Sequence, residues 1–442
     1  MTNLYSHKRG FTLIETLVGT AVFVIVSIMA YGAFGILMDA VAASQAKVAA
    51  TAVANEKFEI IRNLPYQDVG LTTGIPLGKI QRNQTVTRDG YTFDILTTIR
   101  NTDDPFDGTI GGNPSDLSPA DYKLADLDIT CPTCKIFPLL KFTTLVAPHA
   151  LETASTNGAI FFQVFDVDGI PIPNASVTIT NTQANPDIII NETTDNGGWV
   201  RIIDAPPGIN AYNITATKNG YTQEQTYPLG GAAGADPLNP DSTVVIQQVT
   251  QTSLTIDQVS TLVVSTVDAS CLPIPTINFS LTGAKLIGNP NISKFGTQNF
   301  TTNASGRKEM GNLEWDNYSL AITSAGYDLA GGTMFPSFGI QPNENKNLEL
   351  VVVPHVDKAL LVSVMDANGV AIDGASVQLT STTLDQTKTT NSGTCETPGQ
   401  VFWNGLPNEN FTMTVTKAGY QTSITGPFSV SAWENQNIIL TP

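Results

Sequence analysis

The sequence predicts an α+β N-terminal part, one long helix plus an antiparallel sheet, followed by three all-β sandwich modules. Three observations carry this. No charged residue occurs across the 23 positions from Thr16 to Met38, which lie inside a longer helical pattern. Short alternating runs take over from Pro65 to about Ala147. From Ala159 to Pro442 the chain then repeats itself three times. At 442 residues there is room for several domains. Charged residues make up only 14%, and Thr, Asn, Gly and Pro are abundant, a mixture that suits extracellular β modules with polar turns.

The N-terminus reads MTNLYSHKRGFTLIETLVGTAVF. The uncharged run is long enough to cross a bilayer core of ~30 Å at ~1.5 Å per residue. Glu15 sits at its edge, where a carboxylate costs ~2.5–3.5 kcal/mol if drawn to the bilayer centre. A secretory signal peptide would use Lys8 and Arg9 as its basic start and Ala40 to Ala46, AVAASQA, as its cleavage site. Its apolar core would be too long, and Glu15 interrupts the start. A plain anchor leaves Glu15 unexplained, and a buried helix of a soluble domain leaves the basic decapeptide unexplained.

The stretch KRGFTLIE resembles the type IV prepilin leader: a short basic segment ending in glycine, then phenylalanine, with glutamate as the fifth residue after the cut. The resemblance implies that a prepilin peptidase cuts between Gly10 and Phe11 and that the new Phe11 amine is methylated. It also implies that Glu15 pairs with the Phe11 amine of a neighbouring subunit when the helices bundle, so that neither charge stays unpaired in an apolar setting. Residues 1–10 would be the leader, on the cytoplasmic side as Lys8 and Arg9 predict.

The helical signal runs over 11–64, with 11–38 as the membrane or filament-core part and Pro65 as the stop. Phe58, Ile61 and Leu64 form a stripe able to pack on a head domain. The head spans 65–147, where GYTFDILTTIRN, DYKLADLDIT and LLKFTTLVAP read as strands. Helix then antiparallel sheet is the plan the pilin resemblance implies. Cys131 and Cys134 form a CPTC pair flanked by strands, which favours a structural clip over a redox motif opening a helix. The loop from Asp103 to Asp107, with Asp104 between them, is oxygen-rich and a candidate for calcium, though it lacks the spacing of an EF-hand.

A small-residue linker covers 148–158. The three copies follow at 159–250, 258–354 and 357–442. Asp166, Asp268 and Asp366 close their opening strands, and Gly220-Tyr221, Gly326-Tyr327 and Gly419-Tyr420 recur later in each. Each is expected to end in an apolar strand: TVVIQQV, NLELVVV and NIILTP. In each Gly-Tyr pair the glycine is expected to supply a turn conformation and the tyrosine to cover the core. The second copy has Cys271 where the others have Gly169 and Gly369; Cys271 and Cys395 are either free or paired across modules. The copies resemble carboxypeptidase regulatory-like domains, a transthyretin-like sandwich akin to collagen-adhesin repeats. Some such repeats carry a Lys–Asn crosslink, for which Lys358 and Asn437 stand in first- and last-strand positions. The acid that the family places in FTMTVTKAGY is missing, which counts against the bond.

No residue set reads as catalytic. His7, His149 and His355 fall in the leader or in linkers, and no Ser/His/Asp arrangement or zinc ligand set can be built. The net charge of −17 repels phosphate backbones and argues against nucleic acid as a partner. Sequons at Asn174, Asn213 and Asn410 are expected by chance in so Asn- and Thr-rich a chain. The expectation is a non-enzymatic minor pilin-like subunit with a single pass through the inner membrane, assembled with other pilins into a surface filament. Its modules would act as adhesion or spacer units toward a surface or glycan ligand. The alternatives are a pseudopilin of a secretion or competence apparatus, and a monomeric anchored binding protein.

Overall fold

A computed structural model describes residues 12–148 and 154–442. Gly10 and Phe11, the expected processing site, and the leader and linker histidines His7 and His149 lie outside the described residues.

Helix α1, Leu13–Asn63, runs unbroken for 51 residues, about 75 Å. Its two halves have different surroundings. From Thr12 to Met38 every residue is exposed, including large apolar ones such as Leu13, Phe23 and Ile36. In the second half Ala46, Ala49, Ala50, Val53, Ala54, Phe58 and Ile61 are buried, the steps of three and four that place side chains on one helix face. The alanines are small enough to let the helix approach the sheet, and Phe58 and Ile61 complete the buried face. Leu64 closes the helix and Pro65 removes the next donor.

The head sheet is an antiparallel meander of β1 (Asn83–Arg88), β2 (Tyr91–Thr102), β3 (Tyr122–Thr130) and β4 (Leu140–Val146). Phe93, Ile95 and Ile99 of β2 and Ala125, Leu127 and Ile129 of β3 alternate onto the helix face and form one core with it. Polar ties at the helix edges fix its rotation: Lys57 Nζ to Gln84 Oε1 at 2.5 Å, and Arg62 Nη2 to Thr144 Oγ1 at 2.6 Å. A Cys131–Cys134 disulfide clips the turn leaving β3.

Each module is a two-sheet sandwich in which the first and last strands run parallel and side by side. In module 1 Gly158–Phe165 pairs with Val249–Thr255, in module 2 Ser260–Val267 with Asn345–Pro354, and in module 3 Ala359–Met365 with Trp433–Ile439. Module 1 therefore closes later than residue 250. The apolar TVVIQQV is not its last strand, because Val245 and Ile246 lie exposed at a turn, whereas Leu254 and Ile256 of the following segment are buried. The aspartates that end the opening strands are turn brackets. Asp166 Oδ1 accepts from the N–H groups of Asp168 and Ile170, Asp268 Oδ1 from Ser270 and Leu272, and Asp366 Oδ1 from Asn368 and Val370. Within the turns Gly169 and Gly369 have φ near +78°, and Cys271 takes the same left-handed position at +64°. In the Gly-Tyr pairs Gly220 and Gly419 adopt positive φ, but Gly326 does not, so the second copy turns there by ordinary backbone geometry.

The joints are tied. Between head and module 1 the Ile189 N–H donates to Thr73 O and Arg82 Nη2 to Asn191 O at 2.8 Å. Between modules 1 and 2 Asp236 and Pro237 add a strand to Asn289 and Gly288. A Cβ on Gly288 would fall 1.8 Å from Ala233 O, so only glycine permits this approach. Glu224 of module 1, 5% exposed, meets Lys285 and Lys294 of module 2, and both lysines also reach Glu314. Between modules 2 and 3 Cys271 and Cys395 form a disulfide, and the Gln400 carboxamide pairs with both backbone groups of Gly332, at 2.8 and 3.1 Å.

Candidate functional site

The exposed half of α1 starts at a capping box. Glu15 N–H donates to Thr12 Oγ1 at 3.3 Å, and Glu15 Oε2 accepts from both Thr12 N–H and Thr12 Oγ1 at 2.9 Å. Thr12 thus satisfies one of the orphan donors of the first turn, and the carboxylate answers the positive end of the helix. The Thr-x-x-Glu spacing is the local sequence signal for this cap. The next acid, Asp39, pairs with Lys135 of the head at 2.6 Å, on the far side of the apolar run. α1 is long and apolar enough to cross a membrane over its exposed half.

The aspartate loop is arranged differently from the expected Asp103–Asp107 ligand run. Asp104 Oδ1 accepts from Phe106 N–H in its own turn, and Asp107 is exposed. Asp103 instead meets Asp116 and Asp121, with one oxygen from each within 4.8 Å of the others. Each also has an oxygen held by a backbone N–H: Asp103 by Ile110, Asp116 by Ser118, and Asp121 by Asp104. Burial, with the charges of Asp116, Asp121 and Asp107, pushes the Asp103 carboxyl up, against the Ile110 N–H that holds it down. Three carboxylate oxygens are a donor set that suits a hard cation such as calcium, with carbonyls and water completing the shell.

The other candidates are dispersed. Lys358 Nζ donates to Asn408 Oδ1 at 2.7 Å, not to Asn437, whose strand neighbour is Ser363. His355 pairs with Asp328 at the end of module 2. Two residues overlooked in the sequence are Tyr212 and Tyr318, fully buried, whose hydroxyls donate to Pro206 O at 2.6 Å and Glu314 O at 2.9 Å. Their place in the repeat, beside an Asn in all three copies, was the available clue; module 3 has Phe411 there.

The chain thus combines an apolar helix exposed along its first half, long and apolar enough to cross a membrane, with an antiparallel head that seats its second half. More narrowly, residues 5–31 match the family model described as the prokaryotic N-terminal methylation motif, so the chain carries that motif at the start of α1. No curated protein matches the sequence. Among solved structures, the Bacillus anthracis TIE protein is similar at 13% identity and a TM-score of 0.20, over 82% of this chain and 74% of that one. The shaft pilin SpaA from Lactobacillus rhamnosus GG is similar at 13% identity and 0.19, over 46% and 99%. GBS52, the minor pilin of Streptococcus agalactiae, is similar at 12% and 0.22, over 45% and 98%.

Proposed function

We propose that the chain is a minor subunit of a type IV pilin-like surface filament and that its three sandwiches are displayed as adhesion or spacer units without chemistry of their own. The observation that carries this reading is the wholly exposed apolar segment from Thr12 to Met38, which begins with the methylation motif and holds Glu15 as its single acid. In a bundle of such helices the exposed face is covered by neighbours, and Glu15 meets the amine of a processed Phe11. A prepilin peptidase cuts after Gly10, other pilins are the partners, and the inner membrane holds the precursor with modules outward. The tied joints favour a stiff rod over beads on a string. Three modules on every subunit would crowd a filament, which favours sparse or tip placement. Calcium at Asp103, Asp116 and Asp121 belongs to the same reading.

Mass spectrometry of the mature N-terminus tests the processing step. A methylated Phe11 is expected; an intact leader, or a start near Ser44, would overturn the proposal. Immunolabelling of filaments tests placement: uniform density along the shaft is the result that defeats the minor-subunit assignment.

A further inference from the structure

A cleft of about 640 Å³ lies at the joint of head and module 1, where neither domain alone would enclose it. Asn101 and Lys123 line it, facing each other across β2 and β3 as direct partners. They are only 8% and 6% exposed. Lys123 Nζ donates to Tyr66 O at 2.8 Å and Val69 O at 2.7 Å, and lies 4.4 Å from the centroid of the Tyr66 ring. Burial pushes its ammonium down to about 8, so it remains mostly charged at neutral pH. Asn101 Nδ2 donates to Ile203 O of module 1 at 3.3 Å, which spends one end of the carboxamide on the joint. Its Oδ1 is buried without a partner. Buried polar atoms are paired as a rule, and this orphan belongs to a residue that lines the cleft.

The remaining walls narrow the chemistry. Asn181, Gln183 and Asn185 bring carboxamides, with Asn181 Oδ1 already accepting from the Gln183 and Ala184 N–H groups and Gln183 Nε2 donating to Asn210 O. Asp204 is the single acid among the lining residues, and its Oδ1 already accepts from Ser155 Oγ and Asn157 Nδ2. One cation and one anion leave the cleft near neutrality. An anionic ligand would meet Asp204, and a cationic one would meet Lys123. Prolines at 76, 186 and 206 supply apolar surface for C–H faces. The size falls within the ~300–1,000 Å³ of small-molecule sites, which favour such domain joints.

We propose that this cleft binds a small neutral polyhydroxylated ligand, of the size of a sugar, with one hydroxyl donating to Asn101 Oδ1. This goes beyond display of the modules and does not depend on filament assembly, so its failure would leave that reading standing.

The test uses the full chain in a detergent without a sugar head group. D-galactose, D-mannose and N-acetyl-D-glucosamine are offered singly in saturation-transfer NMR, with inorganic phosphate and putrescine as charged probes in competition. At least one sugar is expected to receive saturation, and neither charged probe to displace it. Asn101→Leu removes the orphan acceptor and should weaken binding tenfold or more. Because that change also touches the joint, Gln183→Trp is the second variant; residue 183 is exposed, and the indole should obstruct the cleft without disturbing either core. The same loss is expected, at an unchanged melting temperature. No transfer to any sugar at millimolar concentration, transfer that survives both variants, or displacement by a charged probe would each overturn the proposal.

Discussion

Cys271 in the second sandwich and Cys395 in the third are joined in a disulfide that spans 124 positions of sequence. The bridge sits in a small apolar cluster with Val267, Val351 and Ala330, so it is packed as well as covalent. Cys271 is also the residue that replaces a turn glycine of the other two copies, at φ +64°. The second module thus accepts an unfavourable backbone position and gains a fixed angle to its neighbour. Cys271→Gly should restore the ordinary turn while releasing the joint. We expect module 3 to unfold separately, with the cross-linked transition lowered by about 2–4 kcal/mol. Small-angle scattering should show a longer tail in the distance distribution. A single calorimetric transition with unchanged scattering would mean that Gln400 and Gly332 hold the joint unaided.

Tyr212 and Tyr318 make the same contact in successive modules, each hydroxyl donating to a carbonyl a few residues upstream. Burial, with the charges of Asp316 and Glu314, holds Tyr318 far above the usual phenol range. Tyr212→Phe leaves Pro206 O without its partner and should cost module 1 about 1–2 kcal/mol in urea unfolding. Phe411→Leu in module 3, where no such bond exists, should instead behave as a packing change. An unchanged unfolding midpoint in Tyr212→Phe would mean that the hydroxyl contributes nothing.

These particulars show what the sequence made legible. The seat of α1 could be read because Phe58, Ile61 and Leu64 recur on one helix face, and periodicity is a local property. The repeat could be read from its aspartate brackets for the same reason. The closing strand of module 1 could not, since VTQTSLT turns only Leu254 fully inward, while the more apolar VVI splits between a buried Val244 in an earlier strand and the exposed Val245 and Ile246. Long-range pairings such as Cys271 with Cys395, or Glu224 with Lys294, leave no local pattern at all. The cleft was half legible: parity along β2 from Phe93 through Ile99 places Asn101 inward, and parity along β3 from Leu127 places Lys123 inward. What lies opposite an inward polar residue is decided by the neighbouring domain.

Asp103, Asp116 and Asp121 give the head a pH dependence of definite sign. The folded-state pKa of Asp103 is raised, chiefly by burial. The folded protein therefore holds this proton more tightly than the unfolded chain, and the contribution to stability is fully present in acid. It is lost as pH rises through the folded-state value. In EDTA near neutral pH, Asp116→Asn should stabilise the head by up to about 1 kcal/mol, because it removes a like charge. With calcium added the order should reverse, wild type gaining and the variant not. Calorimetric heat equal in both proteins, or absent from both, would remove calcium from the account.

Glu15 has one observed role, in the capping box, and one proposed role, in assembly, and the box shows how to separate them. Glu15→Val removes both the carboxylate that accepts from Thr12 and the negative charge proposed to meet a neighbour's Phe11 amine. Glu15→Gln keeps a side chain able to complete the box while removing the charge. Thr12→Ala does the converse, weakening the cap by about 1 kcal/mol and leaving the charge intact. If the ion pair governs assembly, Gln should fail as completely as Val, and Thr12→Ala should assemble, with membrane insertion equal in all three. If capping governs it, Gln should assemble and Thr12→Ala should not. Recovery of sheared filaments, set against the membrane-fraction content of the same cells, reads both quantities at once. The low dielectric of a helix bundle makes a Phe11 ammonium left without its carboxylate far costlier than a frayed first turn, so the expected result is failure of Gln.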